Sequence, residues 1–163
     1  MHFPDAHSTL KAMSQRDPIR VFVTHAWEQS DDYLRVFEYL ESARNFYYRN
    51  CSGPDQHPVD KSVEGLREEL RRQITPAEVV VALASLHASH RDLLQFQLHY
   101  AKASDKPVVL LPGFGRELLL PREVGDLADM RASWDERALV DGIRRQARHE
   151  DTTRWDTIEF KIE

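Results

Sequence analysis

The six residues Val79-Val80-Val81-Ala82-Leu83-Ala84 are apolar at every position. A strand with one face in water alternates polar and apolar side chains, so a run without alternation predicts a strand covered on both faces. The usual cover is a layer of helices on each side of a parallel sheet. Pro76 restarts the chain just ahead of this run, and the segment is expected to be the central strand.

The flanking sequence supplies the other elements. Ile19-Arg20-Val21-Phe22-Val23-Thr24, after Asp17-Pro18, is a short β-branched run suited to a first strand. Ser30-Asp31-Asp32 is a capping cluster, and Leu34, Phe37, Tyr39 and Leu40 follow at helical spacing as far as Ala43. Asn45 to Asn50 is aromatic and extended in character, predicting a second strand, and Cys51 to Pro58 reads as loop. Ser62 caps a helix whose Val63, Leu66, Leu70 and Ile74 recur three and four residues apart. A further helix is predicted over about Ser89 to Ser104 and a fourth strand over Lys106 to Leu111, broken by Pro112-Gly113-Phe114-Gly115. A fifth strand is expected within Ala128 to Trp134, and Asp135-Glu136 opens a last helix with Leu139, Val140 and Ile143 inward.

Strict alternation of strands and helices predicts a flavodoxin-like α/β fold: a five-stranded parallel sheet, right-handed crossovers and helices on both faces. The domain is expected over 19–148, with 1–18 as a leader and 149–163 as an extension, either an added strand or a docking tail. Ligands of such sheets bind outside the carboxyl ends of the strands, near the switch in strand order. Chemistry is therefore expected on the loops after the first four strands.

Composition removes several classes. The 163 residues suit one domain. With 22 Lys and Arg against 27 Asp and Glu, the net charge of −5 provides no basic excess for coating nucleic acid. Cys51 is the only cysteine and has no partner for an internal disulfide, which fits a reducing, cytoplasmic setting. Met1 to Lys11 carries Asp5 and two histidines where a secretion signal would be basic and then apolar. The longest uncharged apolar run, Val79 to Leu86, is less than half a bilayer span, so no membrane is expected as a partner.

The loops exclude more. A receiver domain of this fold needs carboxylates after the first and third strands, where this chain has Thr24-His25-Ala26-Trp27 and Ser85-Leu86-His87. No glycine-rich nucleotide loop follows the first strand, and Gly113-Phe114-Gly115 reads as a turn. His87 with His90, or His90 with His99, are the metal pairs to consider, but no convergent carboxylate or thiolate accompanies them, and no metal is expected. On the third helix the stripe Leu93, Leu94, Leu98, Ala101 is interrupted by Gln97. That glutamine either bonds neighbouring backbone groups or faces a ligand.

Taken together, Val21 to Trp27, Asn45-Phe46 through Asn50-x-Ser52-x-Pro54, and Val79 to Leu83 resemble a TIR-like domain. They are most similar to the small TIR-like protein of Thoeris-type bacterial antiphage defence. Lys106 to Val109, the turn at 112–115, and Trp134 with Ala138 to Arg144 continue the resemblance, which covers about Ile19 to Arg148. Thr24-His25-Ala26-Trp27 is its most specific part.

The resemblance implies NAD as substrate, with no separate cofactor, and cleavage of the nicotinamide–ribose bond. The ADP-ribosyl product, a cyclic ADP-ribose isomer or a conjugate, would activate a separate effector after a phage-derived trigger. Cleaving an N-glycosidic bond develops oxocarbenium character, for which a nearby carboxylate is wanted. TIR enzymes place a glutamate on the third helix, and here that position falls on Gln97, whose neutral amide is no base near pH 7. Leu93 stands where an aromatic residue often lies. Two explanations are open: a non-catalytic TIR-like partner, or a glutamine standing in for a natural glutamate so as to preserve bound substrate.

The other implied site residues follow by position. Thr24, His25, Ala26 and Trp27 would meet the diphosphate with backbone N–H groups and a ring with the indole, although Trp27 also reads as half-buried packing. Asn50 and Ser52 would lie beside the nucleotide, and Cys51 between them reads as packing, not as a nucleophile. Loop 51–60 would dock on a neighbouring subunit and build homo-oligomers. Ser85 and His87 point to the same edge, His87 as a substrate contact or an exposed turn residue, and Tyr33 would line the pocket or belong to the core.

Overall fold

The computed structural model describes residues 16–116 and 120–149. The expected leader at 1–18 and extension at 149–163 therefore lie mostly outside the described residues. Five strands form one sheet: β1 (Ile19–Val23), β2 (Tyr48–Asn50), β3 (Val79–Leu83), β4 (Val108–Leu111) and β5 (Met130–Arg131). Every pairing is parallel and the order is β2-β1-β3-β4-β5. The expected flavodoxin-like α/β architecture is the one found.

The helices are α1 (Asp31–Ser42), α2 (Val63–Ile74), α3 (Leu86–Ser89), α4 (Arg91–Ala103), α5 (Arg122–Gly125) and α6 (Glu136–Arg148). Helices α2 and α4 pack together on one face of the sheet, and α1 and α6 on the other. Strand β3 is buried at all five positions, as its lack of alternation requires. Its neighbours in the core include Phe22, Leu70, Leu98, Leu110 and Ile143.

Local chemistry fixes the long helices. Ser30 Oγ accepts from the Tyr33 N–H, Ser62 Oγ from the Gly65 N–H and Asp135 from the Ala138 N–H, each meeting a donor that the first turn leaves unpaired. Acidic residues sit in the first turn of each, where the helix dipole favours them. At Gly65 an added Cβ would lie 2.1 Å from the Asp60 carbonyl oxygen, so only glycine lets loop 51–62 close onto α2.

Several expected boundaries change. The second strand is three residues long instead of six, because Asn45 turns the backbone left-handed (φ 58°) and Phe46 drops into the core before pairing starts. The helix expected from Ser89 is found as α4 from Arg91, and the short α3 ahead of it is separated from it at His90, whose backbone (φ −139°, ψ 53°) is not helical. The fourth strand begins at Val108 and the fifth shrinks to Met130–Arg131 at the sheet edge. The short α5 was not anticipated.

The amino-terminal edge is tied by Glu78. It accepts from the Arg20 N–H at 2.9 Å and from the Arg148 guanidinium at 3.0 and 3.1 Å. Burial alone would raise its carboxyl, but the bonds from Arg148 and Arg20 outweigh it and hold Glu78 below the usual carboxylate range. This anchor joins the end of α6 to the starts of β1 and β3 and leaves the opposite edge to the site.

Candidate functional site

Strands β1 and β3 are neighbours whose onward connections run in opposite directions, to β2 and to β4. The crevice at their carboxyl ends is therefore the topological switch point. Thr24 closes β1 there. Its N–H donates to Val81 C=O at 3.0 Å, and its Oγ1 accepts from the Leu83 N–H at 3.0 Å. The hydroxyl is committed to the sheet and the residue is fully buried.

His25 follows, 1% exposed. Its Nδ1 accepts from the Trp27 N–H at 3.1 Å, so in the neutral ring Nε2 carries the proton and donates to Gln73 Oε1 at 2.9 Å. Burial pushes the imidazole down to about 4; the bond to Gln73 opposes that, nearby His57 adds to it, and Asp55 opposes it. His25 is a neutral structural histidine at pH 7.

Gln97 lies wholly buried on α4. Its Oε1 accepts from the His25 N–H at 3.0 Å, and its Nε2 donates to the carbonyls of His25 at 2.9 Å and Leu93 at 3.0 Å. Gln97 thus bonds neighbouring backbone groups, in the way one of its two sequence readings describes. The amide has no donor left over for a ribose hydroxyl.

Trp27 has φ 64°, a left-handed backbone that is costly for a bulky residue and is found where surrounding structure imposes it. Its ring lies edge-on to His25 at 5.0 Å and tilted against His57 of the loop at 5.6 Å. Trp27 Nε1 and His87 Nε2 are the two buried side-chain nitrogens left without a hydrogen-bond partner among the described residues. Both belong to carboxyl-edge segments, after β1 and after β3. Ala26 packs half-buried against the core.

A second group forms around Tyr33, which is buried yet polar at its tip. Its hydroxyl bonds Ser52 Oγ at 2.9 Å and accepts from Asn50 Nδ2 at 3.1 Å, while Asn50 Oδ1 accepts from the Ser52 N–H at 2.9 Å and from its hydroxyl. The Tyr33 ring stands 6.5 Å from that of His25, so the two groups adjoin. Cys51 is half-buried, and burial pushes its thiol up, as suits packing. Ser85 makes no side-chain cap for α3. His87 lines an open depression with His90 and the first turn of α4, whereas His99 is on the exposed side of that helix. Among the described residues no group of three metal-ligating side chains converges.

Gln73 was missed. It accepts from the Gly53 N–H at 2.9 Å as well as from His25, and donates to Gly53 C=O at 3.1 Å. The signal was present: position 73 falls three residues after Leu70 and beside Ile74, on the apolar stripe, where a polar side chain needs a buried partner.

No helix among the described residues is long and apolar enough to cross a membrane. Among curated proteins none matches the chain at a significant level. The family described as Thoeris protein ThsB, TIR-like domain, matches residues 22–112, more than half of the sequence and the stretch from the end of β1 through β4, with every site residue named above. The chain thus belongs to the TIR-like domain family of the Thoeris antiphage-defence protein ThsB.

Proposed function

We propose that this chain is a TIR-like unit of Thoeris-type defence that takes up NAD or a related ADP-ribosyl nucleotide at the carboxyl edge of its sheet and does not itself break the nicotinamide–ribose bond. The observation that carries this reading is Gln97. It occupies the position to which the TIR resemblance assigns a glutamate, and its amide is spent on three main-chain partners. Glycosidic cleavage needs a carboxylate close to the developing positive charge, and a neutral clamp sealed from the crevice supplies none.

Nucleotide recognition is supported by the free indole N–H of Trp27, its imposed backbone and the unpaired His87 nitrogen on the same edge. In such a system the cyclised or conjugated ADP-ribose signal comes from a cleaving partner after a phage-derived trigger and activates a separate effector. This chain would then act by assembly. Loop 51–60 carries Val59 fully exposed, with Val63 exposed just beyond, which suits docking on another protomer.

The full chain is to be incubated with NAD while nicotinamide is followed by mass spectrometry, and binding of NAD and ADP-ribose is to be measured by calorimetry. Binding with no nicotinamide above buffer is expected. Steady nicotinamide release would restore the enzyme reading, and absence of binding to either nucleotide would leave assembly alone.

A further inference from the structure

The carboxyl edge contains a run of neutral hydrogen bonds that nucleotide uptake does not use. Gly53 of the loop after β2 is held at both its N–H and its C=O by Gln73 of α2. Gln73 accepts from His25, and the main chain of His25 is held at both its N–H and its C=O by Gln97 of α4, which also bonds Leu93. His25 thus ties together partners 48 and 72 positions away in sequence, Gln73 through its imidazole and Gln97 through its main chain.

Each orientation in the run is forced. The Trp27 N–H occupies Nδ1, so Nε2 must donate and the oxygen of Gln73 must face it. The amide nitrogen of Gln97 must face two carbonyls, because its oxygen is taken by the His25 N–H. An ionised carboxylate at 97 would set an unprotonated oxygen against carbonyl oxygens at about 2.9 Å, the present separation from His25 C=O.

We propose that the Gln73–His25–Gln97 run is a positioning device through which helix α4 holds the loop after β2, with the amide nitrogen of Gln97 as its indispensable donor. A partner docking on the loop tip, or an occupant entering beside Trp27, acts on the same clamp, so loop position and α4 respond together. In this chain a glutamate at 97 then disconnects the loop. This goes beyond nucleotide uptake and does not depend on it.

The titratable groups around the run are Tyr33 of α1, Asp55 and His57 of the loop, and Glu69 of α2, which accepts from Gln73 Nε2 at 3.4 Å. On α4, Arg91, Asp92 and His99 are exposed. All of these persist in a variant at 97, so comparison with the parent chain at each pH cancels them.

The test is amide hydrogen exchange on the full chain and on Gln97→Glu from pH 8 to pH 4.5, reading the Gly53 amide and one amide deep in β3. At pH 8 the variant is expected to lose about tenfold of its Gly53 protection, the factor that a lost hydrogen bond of ordinary net strength gives. Protection should return toward the parent as the pH falls and the protonated carboxyl regains a donor. Parent-like protection at pH 8, or a loss that pH does not change, would overturn the proposal. Gln97→Met removes the donor without adding a charge and decides the matter if Gln97→Glu does not fold: the Gly53 amide, whose own partner is Gln73, should lose protection while the amide deep in β3 keeps it, and parent-like protection at Gly53 overturns the coupling.

Discussion

Between pH 6.5 and pH 4, the stability of the chain is expected to fall by about 3 kcal/mol on account of His25 alone. The imidazole takes a proton near 6.5 when unfolded but only at about 4 when folded, chiefly because it is buried. Over that window the unfolded state binds the extra proton, so stability is fully present above 6.5 and drains away as the pH falls toward 4. The structural cause is visible, since protonating Nδ1 would set two donors, the ring and the Trp27 N–H, against each other. Urea denaturation of the parent and of His25→Gln at pH 7.5 and pH 4 isolates this effect. Carboxylates such as Glu78, held low in the folded state, also lose stability as pH falls, but they do so in both proteins. The stability difference between the two should shrink by about 3 kcal/mol on acidification. An unchanged difference would mean that the native ring takes up the proton as readily as the unfolded one, and would overturn the reading of His25 as a neutral buried ring.

What the sequence disclosed and what it withheld divide along range. Strand β3 was readable because burial on both faces leaves a mark on each residue of a short run. Ser30, Ser62 and Asp135 were readable as caps because cap and target lie three residues apart. The break at His90 left no such mark: no proline or glycine stands there, and the kink comes from α3 ending on its own last turn before α4 starts.

The site was half legible for the same reason. The motif Thr24 to Trp27 pointed to the loop that the structure places at the switch point, and the apolar stripe singled out Gln97. The partner of that amide, 72 residues away in the chain, follows from the sheet order and not from any spacing. Polarity in a buried stripe says that a partner exists, and only the fold says that it is the backbone of His25.

Thr24→Val is expected to cost about 1–3 kcal/mol, the penalty for leaving a buried donor unmet, and to lower the melting temperature by several degrees. Past Val23, β1 leaves the ladder and turns toward the crevice, while β3 continues beside β4 as far as Leu83. The Leu83 N–H would face the departing strand with no carbonyl to meet, and the Thr24 hydroxyl takes that place at 3.0 Å. Valine keeps the shape and removes the acceptor, so the loss reads the hydrogen bond and not a cavity. Thr24→Ser keeps the acceptor and should retain the Leu83 bond at the expense of one methyl group, about 1 kcal/mol. Melting curves with exchange at the Leu83 amide separate the two variants. The expected order, with valine costlier than serine and only valine exposing Leu83, means that the switch point is held open by a side chain posing as backbone. The reverse order would mean that the Leu83 bond does not hold the hydroxyl, which would then be free to face a ligand in the crevice.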